Sequence, residues 1–107
     1  MSIRYDFCNG IQGENVQSWW LYLIRTARGD LYCGVTTDVD RRFREHCSGS
    51  PRAAKFLRGR GPLRLEFQQA VGGRSQALKM EYQLKRLPKK DKEALICGAV
   101  QLIELLS

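Results

Sequence analysis

Two neighbouring stretches decide the fold of this chain: WWLYLIR at residues 19–25 and LYCGV at residues 31–35. Both are short, apolar and aromatic, which is typical of strands buried in a sheet. The residues between them, TARGD at 26–30, predict a turn in which Gly29 can adopt a positive φ angle. So short a connection predicts an antiparallel hairpin, and Gly34 inside the second strand indicates a bulge or a close backbone approach.

A helix is predicted directly after this hairpin. Thr37 or Asp38 can cap its N-terminus, where acidic residues also complement the helix dipole. Its buried stripe consists of apolar residues at four-residue spacing: Val39, Phe43 and Cys47. A second, short helical piece is predicted over residues 52–57, followed by a basic, glycine-rich loop over residues 58–62.

The rest of the chain predicts one more strand and two longer helices. Apolar residues alternate with polar ones in a half-buried third strand: Leu63, Leu65 and Phe67. Ser75 is predicted to cap a helix that runs to about Leu87, and Pro88 begins a new segment. The last helix is predicted over residues 89–106, with this apolar face: Leu95, Ile96, Val100, Leu102, Ile103 and Leu106.

These elements together predict an α+β domain, a small three-stranded antiparallel sheet flanked by helices. A hairpin alone would be marginally stable, so the third strand and the helices must complete the core. The domain is expected to span residues 18–107. Residues 1–17 have no hydrophobic period and are expected to form a flexible N-terminal extension.

The net charge of the chain favours a polyanionic partner. Its 107 residues carry 18 Lys plus Arg against 11 Asp plus Glu, a formal net charge of +7. The excess lies after residue 17, where 17 basic and 9 acidic residues give +8. An excess of this size on a small body favours nucleic acid, although a basic protein without such a partner has the same composition.

Cysteine spacing and hydropathy argue against a zinc-binding protein and a membrane protein. No two of the four cysteines have Cys-x-x-Cys spacing and the chain has one histidine, so a zinc site is not expected. The cysteines are interpreted as small apolar residues in a reducing compartment. No apolar run approaches the ~20 residues that cross a bilayer, and no secretory leader is recognised. We therefore expect no membrane association and a cytoplasmic location.

Glu81 is the most diagnostic single residue, because it falls inside the apolar arc of the helix predicted after Ser75. At roughly 100° per residue its side chain lies between those of Ala77 and Leu78. A carboxylate in such a position is costly unless it is paired or binds a metal. Two interpretations remain open: a metal ligand or catalyst, and a salt bridge to Lys85 one helical turn on.

Four further side chains could take part in phosphodiester chemistry. Arg42 and His46 share one helix face, where an arginine can bind a phosphate as a fork of donors and a histidine can move a proton. Tyr22 and Tyr32 could relay a proton from water. The alternatives are a solvated basic face for the arginines of this helix and ordinary packing for the strand tyrosines.

Two basic segments are candidate phosphate contacts. Lys55, Arg58 and Arg60 surround the glycine-rich loop, where the backbone can come close to a polyanion. Arg41 and Lys85 are added as candidate nucleic-acid contacts, the latter at the start of a second basic run around Pro88. Charge runs of this kind are more often solvated faces than binding sites, and a turn that happens to be basic is the alternative for the loop.

In order and spacing, these residues resemble the GIY-YIG nuclease superfamily, in particular its small, single-domain bacterial members. WLY at residues 20–22 corresponds to the first motif and YCG at residues 32–34 to the second. Arg42 lies at the family's arginine distance and His46 at its tyrosine-or-histidine distance. Glu81 lies on the helix that supplies the family's metal ligand. The resemblance covers most of the chain after the predicted N-terminal extension.

The resemblance implies hydrolysis of DNA, whether duplex, nicked, branched or single-stranded, with one Mg²⁺ or Mn²⁺ ion held mainly by Glu81. It implies that Tyr22 or Tyr32 helps to activate water. It also implies that Arg42 stabilises the pentavalent phosphate and that His46 assists in proton transfer or positioning.

The chain departs from the family pattern in three respects. The Gly-Ile before the first tyrosine is Trp20-Leu21 here, and some relatives carry a lysine where this chain has Val35. Larger relatives also have a separate DNA-binding or second nuclease domain, for which 107 residues leave no room. Targeting to a substrate is therefore expected to come from the basic loops or from a protein partner.

Two main functions and one weaker one follow as expectations. The first is a metal-dependent DNA endonuclease, structure-selective and active in DNA repair or processing. The alternative is a basic nucleic-acid-binding module of the same fold with little or no catalysis. A third, weaker expectation is an adaptor whose apolar C-terminal helix docks a protein partner.

Overall fold

The computed structural model describes residues 18–106, so the extension expected at residues 1–17 lies outside the described part of the chain. The strands are β1 (Trp19–Arg25), β2 (Leu31–Thr36) and β3 (Arg64–Gly72). The helices are α1 (Val39–Cys47), α2 (Arg74–Lys85), α3 (Lys89–Ile96) and α4 (Leu102–Leu106), with a 3-10 turn at Lys55–Leu57. Within residues 18–106 no helix is long and apolar enough to cross a bilayer.

The three strands form one antiparallel sheet in the order β2-β1-β3, which confirms the predicted hairpin and the predicted α+β class. Gly29 takes φ 96° in the hairpin turn. The register places Tyr22 opposite Gly34 and Ile24 opposite Tyr32. Because β2 is an edge strand, side chains from the two faces of the sheet can meet at its open edge.

Both faces of the sheet are covered, which explains why residues 19–24, WWLYLI, are apolar or aromatic without alternation. On one face the buried side chains come from β1, β2, α2, α3 and α4: Leu21, Leu23, Cys33, Leu84, Leu95 and Leu102. On the other face they come from β1, α1 and the 3-10 turn: Tyr22, Ile24, Val39 and Leu57. The candidate site draws on both faces, with Tyr22 in the second core and Glu81 on α2, which packs against the first.

Two predicted helix boundaries are wrong. Ser75 does not cap α2: β3 continues to Gly72, Gly73 occupies the N-cap position, and Ser75 lies in the first helical turn. The single helix predicted over residues 89–106 is instead two helices. Gly98 adopts φ 83° between them, and a left-handed residue of this kind ends a helix.

Three side chains predicted to be buried are exposed. Cys47 lies on the surface of α1, and the neighbouring His46 takes the buried place, with 2% exposure. Leu78 is 39% and Ile103 is 75% exposed, since α2 and α4 contact the core through narrower faces than the sequence pattern indicates. Only the last part of the helical piece predicted at residues 52–57 is helical, as the 3-10 turn.

Candidate active site

A buried tyrosine–histidine pair lies at the centre of the candidate site. Tyr22 on β1 and His46 near the end of α1 are each 2% exposed. Tyr22 Oη lies 3.0 Å from His46 Nε2, although the two residues are 24 positions apart in the chain. The start of α1 is fixed by Asp38, whose carboxylate accepts a hydrogen bond from the Arg41 backbone N–H at 3.1 Å, so the helix carries His46 over the sheet.

The second ring nitrogen of His46 fixes the direction of this hydrogen bond. The backbone N–H of Ala54 donates to His46 Nδ1 at 3.2 Å. A ring nitrogen that accepts a hydrogen bond carries no proton, so the neutral imidazole holds its proton on Nε2 and donates it to Tyr22 Oη. The hydroxyl proton of Tyr22 is therefore directed away from the histidine.

Burial sets the charge state of both partners. Burial first, and then the positive charge of Arg42, lowers the pKa of His46 to about 4, so the imidazole is neutral at pH 7. Burial, followed by the neighbouring Tyr32, raises the pKa of Tyr22 well above its ordinary value, while the charge of Arg42 acts in the opposite direction. The free protein thus holds a neutral phenol against a neutral imidazole.

This depressed pKa predicts a stability that falls as the solution is acidified from pH 7 to pH 5. The unfolded chain binds a proton on His46 near pH 6.5, but the folded chain does not until the pH reaches about 4. The contribution of neutral His46 to the free energy of unfolding is therefore fully present above pH 6.5. It is lost as the pH falls towards 4, and about 1–2 kcal/mol of it is gone at pH 5.

Urea unfolding of wild type and His46→Gln at the two pH values measures this effect. His46 is the chain's single histidine, so the variant should lose most of the pH dependence even though it starts from a lower stability. An equal fall in both proteins would show that His46 does not resist protonation in the folded state.

The position of Tyr22 depends on Gly34, its partner across the hairpin. A Cβ atom at position 34 would overlap Tyr22 Oη and lie 2.5 Å from its Cζ. The phenol ring therefore crosses directly over the backbone of β2. The β1–β2 pairing continues without a shift at Gly34, so there is no bulge. The glycine instead allows the close approach of the Tyr22 ring to the backbone, the second of the two possibilities that the sequence indicates.

Tyr32 extends the aromatic cluster to the open edge of β2. Its ring centroid lies 6.4 Å from that of Tyr22 and 5.6 Å from that of His46. From α2, Lys85 Nζ lies 5.7 Å from the Tyr32 centroid and 3.1 Å from Glu81 Oε2. Burial raises the pKa of Tyr32, and the positive charge of Lys85 opposes that rise. The salt bridge that the sequence offered as an alternative for Glu81 is thus present.

The Arg42 guanidinium is oriented by neighbours on one side. Its Nη1 donates to Glu45 Oε1 at 2.9 Å and to the Arg52 backbone oxygen at 2.7 Å. The hydrogen bond from Arg42 lowers the pKa of the Glu45 carboxyl. The Arg42 side chain remains 28% exposed, so it can contact an anion that approaches the site.

The site offers one carboxylate to a metal ion. Among residues 18–106 no three His, Cys, Asp or Glu side chains are grouped as a metal cage would require. Glu81, with a side chain 18% exposed, presents a hard oxygen that is reachable from solvent. Mg²⁺ often uses one or two carboxylates and takes its remaining ligands from water and substrate phosphates, so the residues fit such an ion once Lys85 releases Glu81.

The predicted nucleic-acid contacts lie in different places. Lys55 and Arg58 are exposed in and after the 3-10 turn, where Arg58 Nη2 donates to the Pro51 backbone oxygen at 2.8 Å. The Arg60 backbone oxygen accepts from the Ala27 N–H at 3.0 Å, which ties the basic loop to the hairpin turn. The other two predicted contacts, on the surfaces of α1 and α2, are also exposed: Arg41 and Lys85.

Sequence reasoning missed one aromatic residue beside the site. Phe56 is 41% exposed and its ring stacks on Tyr32, with centroids 6.1 Å apart and an interplanar angle of 20°. The pattern that could have identified it is KFLRGR at residues 55–60, in which an aromatic residue stands among basic ones.

The three-stranded antiparallel sheet with flanking helices matches the fold of a GIY-YIG domain. The chain belongs to the GIY-YIG family: the family model described as the GIY-YIG catalytic domain matches residues 18–94. The resemblance identified from the sequence is therefore confirmed, and the domain is of a nuclease family.

Similar proteins are found in several bacteria. The UPF0213 proteins YhbQ of Escherichia coli and of Shigella boydii are each 53% identical over 89 residues, which cover 83% of this chain and 87% of the relative. The solution NMR structure of the UPF0213 protein BH0048 from Bacillus halodurans is 37% identical with a TM-score of 0.49, covering 83% of this chain and 93% of that one.

Proposed function

We propose that this chain is a divalent-metal-dependent DNA endonuclease that hydrolyses phosphodiester bonds and selects DNA by its structure, in DNA repair or processing. Membership of the GIY-YIG family supports the class of reaction. The observation that carries the proposal is the hydrogen bond from neutral His46 Nε2 to Tyr22 Oη, 3.0 Å long. A donor aimed at a phenol oxygen favours the ionised form of that phenol, which is the form that accepts a proton.

Tyr22 is the proposed general base. Only its phenolate can take a proton from an attacking water, and the raised pKa keeps that form a small fraction at neutral pH. His46 donates to the oxygen on which the charge forms, and the positive charge of Arg42 stabilises the same oxygen. Of the two roles that the resemblance implies for His46, positioning is the proposed one, because burial lowers its pKa to about 4.

Arg42 is the proposed phosphate-binding residue. Glu45 and the Arg52 carbonyl orient its guanidinium, and an arginine fork matches the geometry of phosphate oxygens better than an ammonium does. Lys85 of α2 adds a positive charge beside Tyr32. Tyr32 lies on β2, the strand that has Val35 in place of the lysine of some relatives.

Glu81 is the residue proposed to hold Mg²⁺ or Mn²⁺. When bound there, such an ion polarises a phosphoryl oxygen and offsets the charge of the leaving oxygen. Glu81 must first release the Lys85 ammonium, 3.1 Å away in the free protein. The freed lysine then carries a positive charge into a site that receives a polyanion.

A second candidate function is a basic nucleic-acid-binding module with little or no catalysis. The Glu81–Lys85 ion pair favours it, because that pair occupies the carboxylate on which metal binding depends. For either function we propose a cytoplasmic location, with which the unpaired thiols of Cys33, Cys47 and Cys97 agree.

Cleavage of labelled branched, nicked, single-stranded and duplex DNA by the wild-type protein tests the proposal. We expect cutting in Mg²⁺ or Mn²⁺, none in a chelator, and a clear preference among the four DNA structures. Binding without cutting in either metal, with an affinity that falls steeply as salt rises, would favour the binding module instead. Neither cutting nor salt-sensitive binding would contradict both functions.

A further inference from the structure

A column of flat side chains leads from the buried histidine to the surface. The rings of His46 and Tyr32 are in edge contact, with centroids 5.6 Å apart. Phe56 stacks on Tyr32 at 6.1 Å, and the guanidinium carbon of Arg60 lies 4.6 Å from the Phe56 centroid. Exposure increases along this column, from 2% at His46 to 41% at Phe56, so its outer end faces solvent.

Packing does not account for the outward position of Phe56. Its neighbour Leu57 fills the core beneath the 3-10 turn and is 2% exposed. Phe56 therefore leaves much of a large apolar ring in water while a smaller side chain is buried beside it. An exposed aromatic ring next to a candidate active site is better explained by a ligand than by stability.

The surroundings of Phe56 define the chemistry of that ligand. A shallow hollow is lined by the backbone of the glycine-rich loop and by three arginines: Arg28, Arg58 and Arg60. Arg60 belongs both to this hollow and to the column. The sequence from residue 46 to residue 65 contains no acidic residue. Asp30, 3.8 Å from Arg60, offsets only part of this positive charge. A guanidinium held over an aromatic ring, beside concentrated positive charge, suits a base and its phosphates.

We propose that the Arg60 guanidinium, supported by the Phe56 ring beneath it, forms a stacking site for one unpaired base of a polynucleotide, whose phosphates pass along the arginine-lined hollow. The base must be unpaired because, inside a duplex, both of its faces are already stacked on neighbouring bases. The inference rests on the proposed nuclease function, since it places this base beside the site at Tyr22 and Tyr32. The substrate class is accordingly DNA with an unpaired nucleotide next to the cut, as in single strands, flaps or frayed nicks.

Binding in a chelator, where no cutting takes place, tests this site. A labelled single strand is compared with a strand of equal length that carries abasic positions, so that phosphates are kept and bases removed. We expect wild type and Phe56→Trp to prefer the strand with bases, and Phe56→Ala to lose about ten-fold in affinity for it. Phe56→Ala should bind the abasic strand as wild type does.

Tyr82→Ala is the matched control, because Tyr82 is another exposed aromatic residue beside an arginine, Arg86, but lines a hollow with Leu105 and Leu106. It should bind both strands as wild type does. An equal loss by Phe56→Ala on both strands, or no loss on either, would overturn the stacking site. If the protein prefers the strand with bases but does not cut DNA in Mg²⁺ or Mn²⁺, the nuclease proposal alone is contradicted. If it cuts DNA but binds both strands equally, the stacking site alone is contradicted.

Discussion

Glu81→Gln is expected to lower metal-dependent cleavage by about 10³-fold or more while the fold remains intact. Glutamine keeps the shape of the side chain but removes the negative charge that would hold a hard cation. The Glu81 side chain is 18% exposed and its partner Lys85 is 50% exposed, so losing the ion pair costs only about 0.5 kcal/mol of stability.

Asp40→Asn is the matched control for this substitution. It makes the same change from carboxylate to amide at an exposed position in the first turn of α1. It should cut at the wild-type rate. Calorimetry with Mn²⁺ gives a readout independent of cleavage, in which Glu81→Gln should bind more weakly and Asp40→Asn should not. If Glu81→Gln cuts DNA at the wild-type rate, Glu81 does not hold the metal ion.

Tyr22→Phe is expected to reduce the single-turnover cleavage rate by about 10²–10⁴-fold, the usual contribution of a general base. The variant keeps the ring that crosses Gly34 and loses only the hydroxyl. His46 Nε2–H is then left without its acceptor in a buried place, which costs about 1–3 kcal/mol of stability. The rates should therefore be compared at a temperature where both proteins are folded, as judged by circular dichroism.

Tyr82→Phe controls for the loss of a tyrosine hydroxyl as such. Tyr82 is 63% exposed on α2, where its hydroxyl accepts from Arg86 at 2.8 Å. The control should cut like wild type. If Tyr22→Phe also cuts like wild type, another group must accept the proton, and Tyr22 is then a packing residue.

Much of the fold follows from the sequence because short-range patterns determine it. The apolar runs on either side of Gly29 specify the hairpin, and Asp38 specifies the start of α1. The break between α3 and α4 was missed because apolar periodicity continues across Gly98, whose positive φ angle the pattern does not reveal.

The candidate site was predictable as a set of residues but not as a mechanism. The order of Tyr22, Tyr32, Arg42, His46 and Glu81 along the chain indicates the family. The direction of the His46 hydrogen bond depends on a single backbone N–H, that of Ala54, which no side-chain pattern encodes. The ion pair of Glu81 was one of two alternatives, and only the tertiary structure shows it.

The pH dependence of single-turnover cleavage tests the central claim that buried Tyr22 is the base. Because the pKa of Tyr22 is raised, its phenolate fraction should increase about ten-fold per pH unit between pH 7 and 9. The wild-type rate in Mg²⁺ is expected to rise in parallel, while the residual rate of Tyr22→Phe stays nearly flat. A flat wild-type profile, or the same slope in Tyr22→Phe, would contradict the assignment.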